Sequence, residues 1–242
     1  MMNTNEEKKL RSTFGGSFGH GWETMMKYFL ILLLVVFVTG LIMAPMQVGN
    51  INKGFEHFNW GKDYFNFFNP GFAIVGILAL ILGIFALAYM FLVVPVFKFG
   101  GDLMFVHAAR DVRPDFESLI RGFKENYFYI VLANLLISAL VMLGFMFLII
   151  PGFIVACRLA FVSYLVMDKK LDPIAAVEES WRLTKGHGWT IFFMGFVSFF
   201  LGIIGLALLF VGILPAIIWT KSSFASLYES VLQKKEAVPV TA

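Results

Sequence analysis

The side chains able to do chemistry are four histidines (His20, His57, His107 and His187), a single Cys157 and sixteen acids. A zinc site needs His or Cys ligands at short recognisable spacings, and a nucleophile needs a base that can reach it. No histidine here has a second His, Cys or carboxylate at a recognised zinc spacing, and none lies beside Cys157. Glu178 and Glu179 are adjacent, so on a helix they diverge and cannot form an acid pair on one face. G-x-S-x-G, Walker and G-x-G-x-x-G patterns are absent from the sequence. The expectation is a chain that is not an enzyme, with no catalytic residue, cofactor or metal. His107, Arg110 and Asp111 read as a solvated helix end.

Two cations stand out instead. Arg158 and Lys221 fall inside long apolar runs, and neither has an obvious acid in sequence. A charge at the centre of a membrane helix costs about 2.5 to 3.5 kcal/mol on insertion scales, so such residues are functional candidates by default. Arg158 is six residues past Gly152 and Lys221 nine past Gly212, depths of about 9 Å and 13 Å along a helix. Asn134, Ser138 and Ser222 offer neutral polar company. Two readings are open: a site for an anion or lipid headgroup, or cations that snorkel to an interface.

The elements that must hold these residues follow from composition. Of 242 residues 59% are hydrophobic and only 14% charged, an excess that must face lipid rather than a core. A net charge of +3 gives no argument for nucleic acid, and one cysteine excludes an internal disulfide. About 20 apolar residues cross a bilayer. Uncharged runs predict spans at 28–46, 71–97, 127–150 and 153–167, with a sharp turn at Pro151-Gly152 between the last two. The uncharged stretch 189–220 makes a helix of about 48 Å, too long for one crossing. Divided near Gly205–Gly212, it predicts spans at 189–210 and 212–232.

The fold class expected is therefore all-α: a polytopic membrane protein with six transmembrane helices paired in hairpins. Its parts are an N-terminal segment (1–27), a six-span membrane domain (28–233) and a tail (234–242). Cytoplasmic loops collect Lys and Arg. With both termini cytoplasmic, fifteen of the nineteen basic residues fall on that side, leaving Lys53 and Lys62 outside and Arg158 and Lys221 within spans. Two cytoplasmic connections read as amphipathic surface helices. The first carries Phe116, Leu119, Ile120 and Phe123 at helical spacing. The second has Asp172 as N-cap, Pro173 in the first turn, the stripe Ile174, Val177 and Trp181, and a stop at Lys185-Gly186. Each leads into a pair of spans, which suggests three units of surface helix plus hairpin, and Gly19-His20-Gly21-Trp22 recurs as Gly186-His187-Gly188-Trp189. The loop from Phe55 to Phe68 is rich in aromatics, as an interfacial belt would be.

The stretch Ile149-Ile150-Pro151-Gly152, Arg158-Leu159-Ala160-Phe161, Asp172-Pro173-Ile174-Ala175-Ala176-Val177, Ser180-Trp181 and Lys185-Gly186 resembles a bacterial family. It is similar to the six-span membrane domain fused to some glycerophosphodiester phosphodiesterases, and to stand-alone relatives of that domain. The resemblance covers about residues 115–231 and implies an all-helical protein of the bacterial inner membrane in which Arg158 belongs to the family pattern. It implies no activity, since no soluble phosphodiesterase domain is present in this sequence. The expected function is a membrane subunit or scaffold linked to lipid or envelope organisation, with membrane lipids and another membrane subunit as partners. The alternatives are a carrier for an anionic or amphiphilic small molecule and, after it, an intramembrane enzyme.

Overall fold

The computed structural model describes residues 12–43, 70–207 and 212–236. Among these there are eleven α-helices and no strands. They are α1 (Phe14–Lys27), α2 (Phe29–Met43), α3 (Pro70–Leu92), α4 (Val94–Ala109), α5 (Glu117–Lys124) and α6 (Tyr127–Phe147). After them come α7 (Ile149–Arg158), α8 (Val162–Asp168), α9 (Pro173–Leu183), α10 (Gly188–Ala207) and α11 (Ile213–Glu236). The aromatic loop from Phe55 to Phe68 lies outside the described residues.

Among the described residues four helical stretches are long and apolar enough to cross a membrane: Ile77–Ala109, Tyr127–Phe147, Ile149–Asp168 and Gly188–Ala207. A fifth is added if α1 and the start of α2, bent by 94° at their junction, count as one. The predicted span 212–232 is part of a 24-residue helix, α11, but it is not among them. The reason is its composition. Lys221, Ser222, Ser223, Ser226, Glu229 and Ser230 dilute its apolar character, and all but Lys221 are buried within the bundle.

Several boundaries differ from those expected, each for a local reason. The second run was expected to end at Lys98 and Gly100-Gly101, yet α4 continues through all three. Glycine here serves close packing rather than termination: a Cβ on Gly100 would stand 2.7 Å from the Leu119 Cα of α5. The turn between α6 and α7 falls at Leu148, whose backbone is extended (φ −167°), and not at Pro151-Gly152. Pro151 sits in the first turn of α7, where a missing N–H costs nothing. Gly152 lets α7 approach α6, its Cα being 3.0 Å from where a Gly144 Cβ would lie. α9 matches expectation: Asp172 Oδ2 accepts from the Ala175 N–H at 3.3 Å, Pro173 is the first residue, and Gly186 adopts φ +87° after the helix ends.

Register along the pairs gives their directions. Tyr28 O–H donates to the Asp111 carbonyl at 3.0 Å and Tyr89 O–H to the Ile42 carbonyl at 2.9 Å, so α2 runs antiparallel to α3 and α4. α1, in the stretch read as an N-terminal segment, is built into the bundle. Its buried residues Ser17, Phe18, Gly21, Thr24 and Met25 recur at helical spacing and face α11. Phe18 and Trp22 both meet Trp219 edge-on, and Trp219 Nε1–H donates to the Phe18 carbonyl at 3.1 Å. The two Gly-His-Gly-Trp segments have different settings: the first is inside α1, the second is the turn into α10.

Most of the buried side chains come from α4, α8 and α11. The outer helices are apolar on their exposed surface: Leu78, Leu82 and Phe85 of α3, Met146 and Phe147 of α6, and Phe196 and Phe199 of α10 are all exposed. A Gly100→Val substitution is expected to drive α4 from α5 and cost about 1 to 3 kcal/mol, the usual range for overpacking. Gly195→Ala points into open space and should leave stability unchanged. Thermal unfolding in mild detergent measures both; equal midpoints for the two variants would contradict the packing account.

Candidate functional site

Arg158 and Lys221, read together in sequence as a candidate anion site, have different partners in the structure. Lys221 has an acid after all: its Nζ is 2.7 Å from Asp102 Oδ1, with the Phe105 ring 5.6 Å from the ammonium. Asp102 is only 6% exposed, and it follows the glycine pair of α4, beyond the expected end of the second span at 97. Lys221 is therefore a neutralised cation. Ser222, also named beside it, is fully buried, and its hydroxyl has no hydrogen-bond partner among the described residues. Ser138 on α6 is exposed and donates to the Asn134 carbonyl one turn back at 2.8 Å, so these two do not join Lys221.

One end of α4 carries the second ionic group. Arg110 clamps Asp168 of α8 with both terminal nitrogens, at 2.6 and 2.8 Å, and donates Nε–H to Glu229 of α11 at 2.7 Å. Tyr228 O–H donates to Asp168 Oδ2, which also accepts from Arg110, at 2.9 Å, and its ring stacks on Tyr164 at 5.2 Å. Arg110 was read as part of a solvated helix end. It is instead the point where three helices meet. Its neighbour Asp111 does lie at the surface, with φ +58°, paired with Lys27 at 2.6 Å.

The two ionic groups form a ladder. Asp102 pairs with Lys221 and Arg110 with Glu229, and each pair is separated by 119 residues. Equal separations mean that α4 and α11 run parallel, with rungs eight residues, or about 12 Å, apart. The signs alternate: acid then base along α4, base then acid along α11. Hydrocarbon does not solvate ions, so buried charges persist only when paired and hydrogen-bonded.

Arg158 has other surroundings. Its guanidinium carbon is 5.7 Å from the Trp181 ring centre, and its carbonyl accepts from Ser180 Oγ–H at 2.7 Å and Thr184 Oγ1–H at 3.4 Å. No carboxylate forms an ion pair with it among the described residues, and its Nη1 is buried without an acceptor. The surface-helix stripes divide. Leu119 is buried against α4, while Phe116, Ile120 and Phe123 are exposed; Ile174 and Trp181 are exposed, with Val177 half-buried. A cleft of about 360 Å³ opens between α1 and α10, lined by Phe14, Trp189, Thr190, Phe193 and Val197, and neither cation lines it. Among the described residues no three His, Cys, Asp or Glu side chains are grouped to hold a metal ion.

A surface clasp ties α9 to the end of α11. Burial resists ionisation of Glu179, but Lys235 and Arg182 outweigh it and hold the carboxyl below its ordinary value of 4.5. No family model, curated protein or solved structure matches the chain.

Lys221→Met alone strands Asp102 as an unpaired buried charge and should cost about 3 to 5 kcal/mol, whereas Lys221→Met combined with Asp102→Leu should recover most of that loss. Thermal unfolding of the singles and the double checks it, and a double variant no better than Lys221→Met would refute the pairing. For the clasp, the folded carboxyl binds its proton more weakly than the unfolded one. Its stabilisation is thus complete above about pH 4.5 and lost as pH falls through the folded value. Protection of the amides in residues 230–236, taken relative to the intrinsic exchange rate at each pH, should fall as pH drops from about 4.5 to 3, and Glu179→Gln should flatten that profile.

Proposed function

We propose that this chain is a non-enzymatic membrane subunit or scaffold, linked to lipid or envelope organisation, with six crossings in three hairpins and both termini on the cytoplasmic side of a bacterial inner membrane. In this reading α2, α3–α4, α6, α7–α8, α10 and α11 are the crossings, and α11 is a polar one tolerated because its neighbours are protein. The kinship with the membrane domain fused to glycerophosphodiester phosphodiesterases is part of the same proposal. Its partners are membrane lipids and a second membrane protein.

The observation that carries the reading is the closure of the ladder. Of the two cations that the carrier alternative would use, Lys221 is already held by Asp102, as is Arg110 by Asp168 with Glu229, and only Arg158 is left without a carboxylate among the described residues. The chemistry left outward is broad apolar surface on α3, α6 and α10, which suits lipid and neighbouring spans.

Native mass spectrometry from mild detergent tests the function: a complex with a second membrane protein is expected. Proteoliposomes holding the chain alone should move no anionic solute, and robust transport by the isolated chain would replace the subunit by the carrier. Crossing number is read by single cysteines in a Cys157→Ser background, which removes the one native thiol. Cysteines at positions 8 and 234 should react with an impermeant reagent from the same side; labelling from opposite sides would exclude an even number of crossings.

A further inference from the structure

Arg158 is the cation that the ladder leaves out, and its position differs from the mid-span depth its sequence context suggests. Its carbonyl is held by Ser180 and Thr184, at the C-terminal end of α9. The apolar helix α10 begins at Gly188, four residues past Thr184, after a turn closed by the His187 N–H to the Thr184 carbonyl at 3.0 Å. The backbone of Arg158 is thus level with the start of a membrane-length apolar helix, where headgroups lie. Exposed tryptophans fit that depth: Trp181, beside Arg158, is 45% exposed and Trp189, at the start of α10, is 75% exposed, the pattern of tryptophans at a membrane interface.

The guanidinium itself is prepared for an anion. The Trp181 ring borders it without accepting a hydrogen bond, and Nη1 is buried with no acceptor among the described residues. A buried donor without a partner is costly, and a planar guanidinium matches the oxygens of a phosphate with two parallel bonds. Ser180 fixes the main chain rather than competing for the guanidinium, its hydroxyl donating to the carbonyl at 2.7 Å, while the shortest bond of the Thr184 hydroxyl is to the Ser180 carbonyl at 2.8 Å.

We propose that Arg158, backed by Trp181, binds a phosphate group at the membrane interface, supplied by the headgroup of an anionic phospholipid. The site is independent of whether the chain is a subunit or a carrier, since it uses neither Lys221 nor the ladder. The purified full chain, in mild detergent with phosphatidylglycerol as probe, should retain bound lipid in native mass spectra. Arg158→Gln should weaken that retention about tenfold, the factor expected for one charge-assisted hydrogen bond. Arg158→Lys should fall between the two, because a point charge replaces the planar fork. Unchanged thermal midpoints show that the variants are folded. Inorganic phosphate added at millimolar levels should not displace the lipid; displacement with phosphate bound in its place would keep the phosphate site but assign it to the free ion. Phosphatidylglycerol retained equally by Arg158→Gln and the parent chain, with folding intact, overturns the proposal.

Discussion

An ion removed from water needs a counter-ion at contact distance, and in this bundle that requirement falls on Arg110. One guanidinium serves two carboxylates from two other helices, Asp168 bidentately and Glu229 through Nε. Take it away and α4, α8 and α11 lose their common point, while two acids are left facing each other in an apolar setting. The rest of the core is arranged to make this meeting possible. Small residues let the backbones close in: Gly100 admits α5 against α4, and Gly21 brings α1 onto Ser223 of α11. Tyr228 adds a further donor to Asp168 Oδ2.

The result is a bundle with its polarity turned inward. α11 has serines, a tyrosine and an acid on its buried surface, whereas α3, α6 and α10 present Leu, Ile, Met and Phe outward. In water that arrangement would be unstable; in lipid it is the favourable one, since the exterior asks for no hydrogen bonds and every interior charge of the ladder has a partner. The two cations that looked alike in sequence divide along this line. Lys221 belongs to the interior and is spent on Asp102, while Arg158 stands at the edge beside an exposed tryptophan.

Periodicity and hydropathy were enough to recover the helical class, the helices α6, α7–α8 and α10 close to their expected limits, and the cap and stop of α9. What they could not weigh was a polar helix that is buried. Hydropathy treats Ser226 and Glu229 as reasons against a membrane helix, although His20 meets the Ser226 hydroxyl and Arg110 the Glu229 carboxylate. The same limit hid Asp102, because a glycine pair with an acid beside it reads as the end of a span when close approach by another helix is invisible. A signal was nonetheless present. Asp102 and Arg110, and Lys221 and Glu229, have the same eight-residue spacing with signs reversed, and matching such patterns between apolar segments pairs helices when neither segment alone is informative. Arg158 was legible as a residue to notice but not as to depth, which depends on where α9 docks.

The 119 residues between the partners of each rung set a schedule for synthesis. Asp102 and Arg110 leave the ribosome long before Lys221 and Glu229, so the first half of the molecule must wait with an unmatched acid at its centre until the last helix arrives. A nascent chain stalled before α11 would therefore expose its incompleteness chemically, as a carboxylate in hydrocarbon without a counter-charge. The ladder therefore exists only once the final helix is present, and α11 is the piece that closes it.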